Sequence, residues 1–211
     1  RLATTATATT TQAAALARTF GMRAHAVVIA EPSTFARDNL HLMVLRASPM
    51  LEAKYRARTN DAARCTCVAI GALLGATSVL DEDGVCGIAY VTFRGDVKHV
   101  VAAINNYWPE HGAAGYHGVG RRSSEEAAPE VAQAEAERVA RENRAAVDAW
   151  NSGQVSWLVA TCAFGMGIDA KREVRAVVHG GRFPPTPKDY AQEIGRGGRK
   201  GSATWCVLYL S

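Results

Sequence analysis

The sequence predicts an α/β fold in which helices cover a parallel β-sheet, and three observations lead to this prediction. Runs such as VCGIAYVTF (Val85–Phe93), WLVAT (Trp157–Thr161) and VRAVVHG (Val174–Gly180) are continuously apolar, as strands buried on both faces require. Segments rich in helix formers alternate with these runs, which indicates βαβ units. At 211 residues and 48% hydrophobic composition, the chain can also bury a full core.

The predicted elements begin with a helix at 11–20, where TQAAALARTF contains good helix formers and stops before Gly21. The β-branched run HAVVIA predicts a strand at 25–30. Residues 31–38 contain Pro32 and Ser33 and predict a connector between two domains.

The same reasoning applies to the rest of the chain, where turn signals such as DEDG at 81–84 separate the periodic segments. It predicts strands at 39–47, 85–93, 113–117, 157–161, 174–180 and 205–210, and helices at 50–74, 96–108, 124–150 and 188–195. The long helix at 124–150 is polar and alanine-rich, which favours a solvated surface helix with ion pairs one turn apart. An interaction site on that helix is the alternative.

Composition restricts the function classes only loosely. A net charge of +4 is compatible with a polyanionic partner but does not require one. The five cysteines form no C-x-x-C pair, which favours reduced, buried thiols over disulfides or a zinc site. No apolar run reaches the roughly 18 to 20 residues that span a membrane, and the chain begins at Arg1. We therefore expect a soluble intracellular protein and a fragment of a longer one.

Polar segments follow three of the predicted strands: TFRGD (Thr92–Asp96), GYHGVG (Gly115–Gly120) and TCAFGMGIDA (Thr161–Ala170). Ligands of parallel α/β sheets bind at the carboxyl ends of the strands. We expect these segments, with the one described next, to line that edge and to present the basic and aromatic groups that contact single-stranded nucleic acid. Alternatively, each segment is an ordinary loop, and Asp169 is a helix N-cap.

The fourth segment is QEIGRGGRKG (Gln192–Gly201), in which Gln192, Arg196 and Arg199 are separated by four and three residues. On a helix these side chains would share one face. Two guanidinium groups on one face repel each other unless an anion lies between them, and phosphate is the anion they bind best. The alternative is a flexible glycine- and arginine-rich tail, although only one such cluster occurs.

Two long segments, VATCAFGMGIDAKREVRAVVH (159–179) and YAQEIGRGGRKG (190–201), closely resemble motifs V and VI of the RecQ family of helicases. GIAYVTFRGD (87–96) resembles motif IV, and LATTATATT (2–10) resembles motif III. The resemblance implies a RecA-like, P-loop NTPase-type helicase C-terminal lobe with three α/β/α layers. Residues 1–30 would be the tail of the first lobe, 31–38 the connector, and 39–211 the second lobe.

The resemblance further implies an ATP-dependent 3′–5′ DNA helicase of recombination, repair and replication, located in the nucleus if the organism is eukaryotic and in the cytoplasm or nucleoid if it is bacterial. Its expected partners are single-stranded and forked DNA and the first lobe. The implied residues are Arg199, Arg196 and Gln192 for catalysis and ATP binding, Gly167 and Asp169 for ATP binding, and Arg94, Tyr116, His117 and Thr161 for DNA binding.

Departures from the family pattern limit what the chain can do alone. It contains no G-x-x-x-x-G-K-[ST] loop and no DExH box, so we expect the ligands of Mg²⁺ to lie outside it and the chain to be inactive by itself. Gly197 replaces a usual alanine, which would weaken a helix by about 0.5–1 kcal/mol. The alternatives are a DEAD-box-type RNA helicase lobe and a non-catalytic relic that binds nucleic acid.

Overall fold

A computed structural model of the chain describes residues 37–47, 61–80, 85–119, 129–164, 170–180 and 184–210, together with Thr11, Ala15, Arg18 and Thr19. The chain divides into two compact units, Arg1–Asp38 and Asn39–Ser211. In the first unit the four single residues are helical, as predicted for 11–20. The strand predicted at 25–30 lies outside the described residues.

The second unit contains six strands and four helices within the described residues. They are β1 (Leu40–Arg46), α1 (Asp61–Ala76), β2 (Val85–Tyr90), α2 (Arg94–Tyr107), β3 (Ala113–Tyr116), α3 (Pro129–Ser152), β4 (Trp157–Ala160), β5 (Glu173–Gly180), α4 (Pro187–Ile194) and β6 (Thr204–Leu210). The strands form one sheet in the order β1-β6-β5-β2-β4-β3. Every pairing is parallel, which confirms the predicted fold class.

Helices cover both faces of this sheet and produce the three predicted layers. On one face, α1 and α2 bury side chains such as Ile70, Leu73 and Val100 against the strands. On the other face, α3 contributes Trp150, which packs edge-on against Phe164. Because both faces are covered, the strand sequences are apolar at nearly every position rather than at alternate ones.

The predicted element bounds differ from the observed ones mainly where a strand passes into a helix. Strand β2 ends at Tyr90, three residues earlier than predicted, and α2 already begins at Arg94. The predicted turn at 81–84, residues 50–60 of the predicted first helix of this unit, and residues 124–128 of the long helix lie outside the described residues. In the polar segment after β2, Thr92 and Phe93 therefore lead into the helix, and Arg94–Asp96 form its first turn.

All five cysteines are free thiols, as predicted, and four of them are buried. Burial raises the pKa of Cys67 and of Cys86 to about 12. No helix within the described residues is both long and apolar enough to cross a membrane.

Candidate functional site

The carboxyl ends of β2, β4 and β3 lie side by side in the sheet, so three of the four predicted segments meet at one edge. The backbone N–H of Thr161 donates to the carbonyl of Tyr116 across 3.2 Å, which joins the ends of β4 and β3. Arg94 opens α2 directly after β2, and His117 follows β3. The structure thus brings Arg94, His117 and Thr161 to the same edge.

Thr161 and Tyr116 contribute mainly to packing at this edge. Thr161 is only 6% exposed, and its hydroxyl accepts a hydrogen bond from the backbone N–H of Ala163 at 3.4 Å. The ring of Tyr116 packs edge-on against Phe164, with 5.2 Å between ring centroids. The two side chains thus help to hold the turn that follows β4 in place.

Arg94 and His117 instead line an open groove of about 740 Å³. The groove lies over β3, the strand at one edge of the sheet, and α2 and α3 form its two walls. We call it the edge groove. Its charged lining consists of Arg94 and Lys98 from α2 and of Arg138 and Glu142 from α3.

Two asparagines cover backbone groups of the edge strand beneath this groove. Asn105 of α2 accepts a hydrogen bond from the N–H of Ala113 at 2.6 Å. The side chain of Asn143 on α3 bonds both the N–H of His117 at 3.1 Å and its carbonyl at 2.8 Å. Uncovered strand edges invite pairing with other chains. The sequence analysis missed both asparagines, because neither belongs to a motif.

A chain of ion pairs joins α2 and α3, the two walls of the edge groove. Arg94 Nη2 lies 2.6 Å from Glu135 Oε1, and Arg138 Nη2 lies 2.8 Å from the other oxygen of the same carboxylate. Arg138 also pairs with Glu142 one turn along α3. Hydrogen bonds from Arg94 and then Arg138 lower the pKa of Glu135. The ion pairs predicted within α3 are thus confirmed, whereas the bond from Glu135 to α2 was not predicted.

The segment containing the two candidate phosphate-binding arginines has a different structure from the predicted one. Helix α4 begins with Thr186 as its N-cap and ends at Ile194, so Arg196 and Arg199 lie in the turns that follow it. The prediction that they share a helix face with Gln192 was therefore wrong. Within these turns Gly198 has a positive φ of 59°, which residues other than glycine rarely adopt.

The backbone of this segment approaches the start of β5. The N–H of Gly198 donates to the carbonyl of Val174 at 2.9 Å, next to the first residue of β5. The side chain of Arg196 nevertheless reaches Phe164 in the turn after β4, so part of the segment meets the carboxyl edge.

Gly197 does not weaken a helix, contrary to the prediction, because it lies outside α4. A Cβ atom at this position would be 2.4 Å from Cγ2 of Thr204. Thr204 is fully buried, and its hydroxyl donates to the carbonyl of Val174 at 3.2 Å. Glycine is therefore needed here for the close approach of the segment to β6.

Arg196 and Arg199 line the same small cavity, with Phe164 and Trp150 among its other walls. The guanidinium carbon of Arg196 lies 5.1 Å from the centre of the Phe164 ring, within cation–π distance. Gln192 and Arg199 are exposed, and Arg196 is partly buried. Gly167 and Asp169 lie outside the described residues.

The chemistry of these residues suits a phosphate group, but the enclosed space does not hold a nucleotide. The cavity measures about 10 Å³, which is room for about one water molecule. Trp150, which lines it, has an indole N–H without a hydrogen-bond partner. A phosphate group would therefore contact the two arginines from outside this cavity. In the described part of the chain, no three His, Cys, Asp or Glu side chains are grouped to hold a metal ion.

A buried His–Glu pair connects α4 with the end of β5, and the sequence analysis did not find it. His179 Nε2 lies 2.7 Å from Glu193 Oε2, and the His179 side chain is 2% exposed. Its ring stacks on Tyr90 at 5.3 Å and also contacts Tyr190. Burial raises the pKa of Tyr90, and the charge of Arg196 opposes that rise. The pair fixes α4, and with it the arginine segment, against the sheet.

The comparison with protein families matches residues 122–201 to the helicase conserved C-terminal domain. Human ATP-dependent DNA helicase Q4 is 47% identical over 70 residues, which are 33% of this chain and 6% of that protein. ATP-dependent DNA helicase Q-like 4B of Arabidopsis thaliana is 35% identical over 126 residues, covering 60% of this chain and 9% of the relative. ATP-dependent helicase SGS1 of Saccharomyces cerevisiae is 46% identical over 63 residues, 30% of this chain and 4% of that protein. The chain thus spans less than a tenth of each relative's length.

Solved structures with the same fold include S. cerevisiae Dbp5 bound to Gle1 and IP6, with a TM-score of 0.55 and 16% identity. That match covers 83% of this chain and 36% of the Dbp5 chain. The E. coli DEAD-box protein SrmB, bound to the regulator of ribonuclease activity A, has a TM-score of 0.50 and 21% identity. It covers 81% of this chain and 77% of the SrmB chain. At these identities the likeness establishes the RecA-like fold alone.

Proposed function

On the premise that this chain contains a helicase conserved C-terminal domain of the RecQ type, we propose that it forms part of an ATP-dependent DNA helicase that moves 3′ to 5′ along one strand. In this proposal, residues 1–30 end the first RecA-like lobe, 31–38 connect the lobes, and 39–211 are the second lobe. The division of the chain after Asp38 supports that arrangement. The relatives are named ATP-dependent helicases of eukaryotes, and the proposal extends to action in recombination, repair and replication in the nucleus.

The observation that carries the proposal is the position of Arg94 and His117 on the edge groove, beside the carboxyl ends of the strands. A groove with basic side chains can follow a phosphodiester backbone. Thr161 and Tyr116 would support this contact from the turn after β4 and from β3. The bases of the DNA strand would remain accessible, because these side chains would contact its backbone and not the base edges.

The second part of the proposal concerns ATP, which would supply the energy for movement when bound between two lobes. Arg196 and Arg199 would stabilise the negative charge that develops on its transferred phosphate, as arginine fingers do. Gln192 would orient the phosphate end of ATP, and Gly167 and Asp169 would border the nucleotide. Mg²⁺ would be held by carboxylates of the first lobe.

Enzyme kinetics can test the proposed roles of the two lobes in ATP hydrolysis. We expect the 211-residue chain to hydrolyse no ATP, with or without DNA, because it contains no phosphate loop. Joined to a first lobe that contains one, it should give DNA-stimulated hydrolysis. There, Arg199→Ala should lower kcat by about a thousand-fold, while binding of single-stranded DNA stays unchanged.

The matched control is Lys200→Ala, which removes a neighbouring exposed cation and should leave kcat within about two-fold, as expected of exposed charges. An unchanged rate in Arg199→Ala would remove this residue from the site. Stimulation by RNA in place of DNA would favour the DEAD-box alternative, and loss of all hydrolysis in the joined protein would favour a non-catalytic relic.

A further inference from the structure

The ion-pair chain of the edge groove contains a carboxylate that is held as a phosphate would be held. Arg94 reaches Glu135 from α2, and Arg138 reaches it from α3 with two nitrogens, Nε at 3.0 Å and Nη2 at 2.8 Å from Oε2. Two guanidinium groups converging on one anionic group, one of them bidentate, is the arrangement by which arginines bind phosphate.

The location of this cluster connects it with the groove. The side chains of Arg94, Glu135 and Arg138 are 34%, 22% and 46% exposed, so all three are accessible to a ligand. Arg94 and Arg138 both line the edge groove, and Lys98 adds a further cation on the same wall as Arg94. An incoming phosphodiester would therefore meet two arginines that already converge on one point.

We propose that Arg94 and Arg138 form a two-arginine phosphate site for a single DNA strand, and that Glu135 occupies this site until a strand displaces its carboxylate. This inference rests on the proposed DNA-binding function and adds two residues to it. Arg138 becomes a DNA contact, and Glu135 becomes a competitor that sets the affinity. The phosphodiester of the strand exchanges with the carboxylate, and no covalent bond changes.

Neutralising the competitor tests the proposal on the 211-residue chain itself. Glu135→Gln should tighten binding of a fluorescein-labelled oligothymidine about five-fold at low salt, measured by fluorescence anisotropy. Arg138→Ala should weaken it. In a background that carries both Arg94→Ala and Arg138→Ala, Glu135→Gln should have an effect no larger than about two-fold, because both arginines that Glu135 occupies are missing.

A control variant separates site occupancy from net charge. Glu137→Gln removes a carboxylate from the exposed side of α3, where its partner is Gln133. It should change the affinity by less than about two-fold, as expected for exposed charges.

Equal tightening by Glu135→Gln and Glu137→Gln would overturn the inference, since it would show a general charge effect, and so would an unchanged affinity in Glu135→Gln. If neither the wild-type chain nor any variant binds the strand, the proposed function fails as well. Replacing chloride by inorganic phosphate at equal ionic strength distinguishes a strand site from a site for free anions. Specific competition by phosphate would favour the latter and contradict the proposal.

Discussion

At the scale of single residues, the structure reverses the expected effect of Gly197 on stability. The sequence placed it in a helix, where glycine is unfavourable, but it lies beyond Ile194 and against Thr204. The missing side chain is thus a requirement of packing. This close approach, together with the hydrogen bond from Gly198 to Val174, holds the segment that contains Arg196 and Arg199 to the sheet.

Restoring alanine at this position should therefore destabilise the protein. We expect Gly197→Ala to lower the free energy of unfolding by about 1–3 kcal/mol, because Thr204 is buried and cannot move aside without losing its hydrogen bond. Gly75→Ala is the control, since it lies inside α1 with nothing within 4 Å of the added atom. That variant should gain about 0.5–1 kcal/mol in urea unfolding. A gain in both variants would refute the packing argument.

At the scale of elements, α3 does more than cover the sheet. Its buried residues Val139, Ala146 and Trp150 hold it to the core, while Asn143 bonds the backbone at the end of β3 and Glu135 reaches α2. One helix thus closes the edge of the sheet and forms a wall of the edge groove.

Removing the asparagine should loosen the end of β3 selectively. We expect Asn143→Ala to cost about 1–2 kcal/mol, because two backbone groups of His117 lose their partner. Hydrogen exchange of the His117 amide should accelerate more than that of the amides within β4. The control Asn106→Ala, at an exposed position of α2, should change neither quantity. Unaltered exchange at His117 would mean that water replaces the side chain without cost.

The elements themselves were predictable, because apolar runs and helix formers are local patterns, and their alternation requires a layered parallel sheet. The contacts between elements were not. Glu135 meets Arg94 and Glu193 meets His179 only once the chain has folded, and no spacing in the sequence signals either pair. The turns that contain Arg196 and Arg199 were taken for helix for the same reason, since the helix was extended through Gly195 and Gly197 on spacing alone.

At the scale of the whole molecule, the buried thiols couple stability to alkaline pH. Cys67 and Cys86 ionise near 9.0 when unfolded, but burial raises the pKa of each to about 12 in the folded chain. Between these values the unfolded state binds fewer protons than the folded state. The stability that the neutral thiols provide is thus complete below pH 9 and decreases as the pH rises.

We expect this decrease to reach about 1 kcal/mol per thiol near pH 10, from the difference between the two pKa values. The measurement is urea unfolding across this pH range. A variant with Cys67→Ala and Cys86→Ala should lose less stability between neutral and alkaline pH than the wild type, although it is less stable at neutral pH. Parallel pH profiles for the two proteins would contradict the assignment to these thiols.

The remaining cysteine has a practical consequence. Cys162 is exposed and directly follows Thr161 at the carboxyl edge, whereas the other four cysteines are buried. A maleimide dye should therefore attach at one position of the unaltered native chain. The attached dye would lie at the same sheet edge as Arg94 and His117, where a change in its emission would report the arrival of a strand in real time.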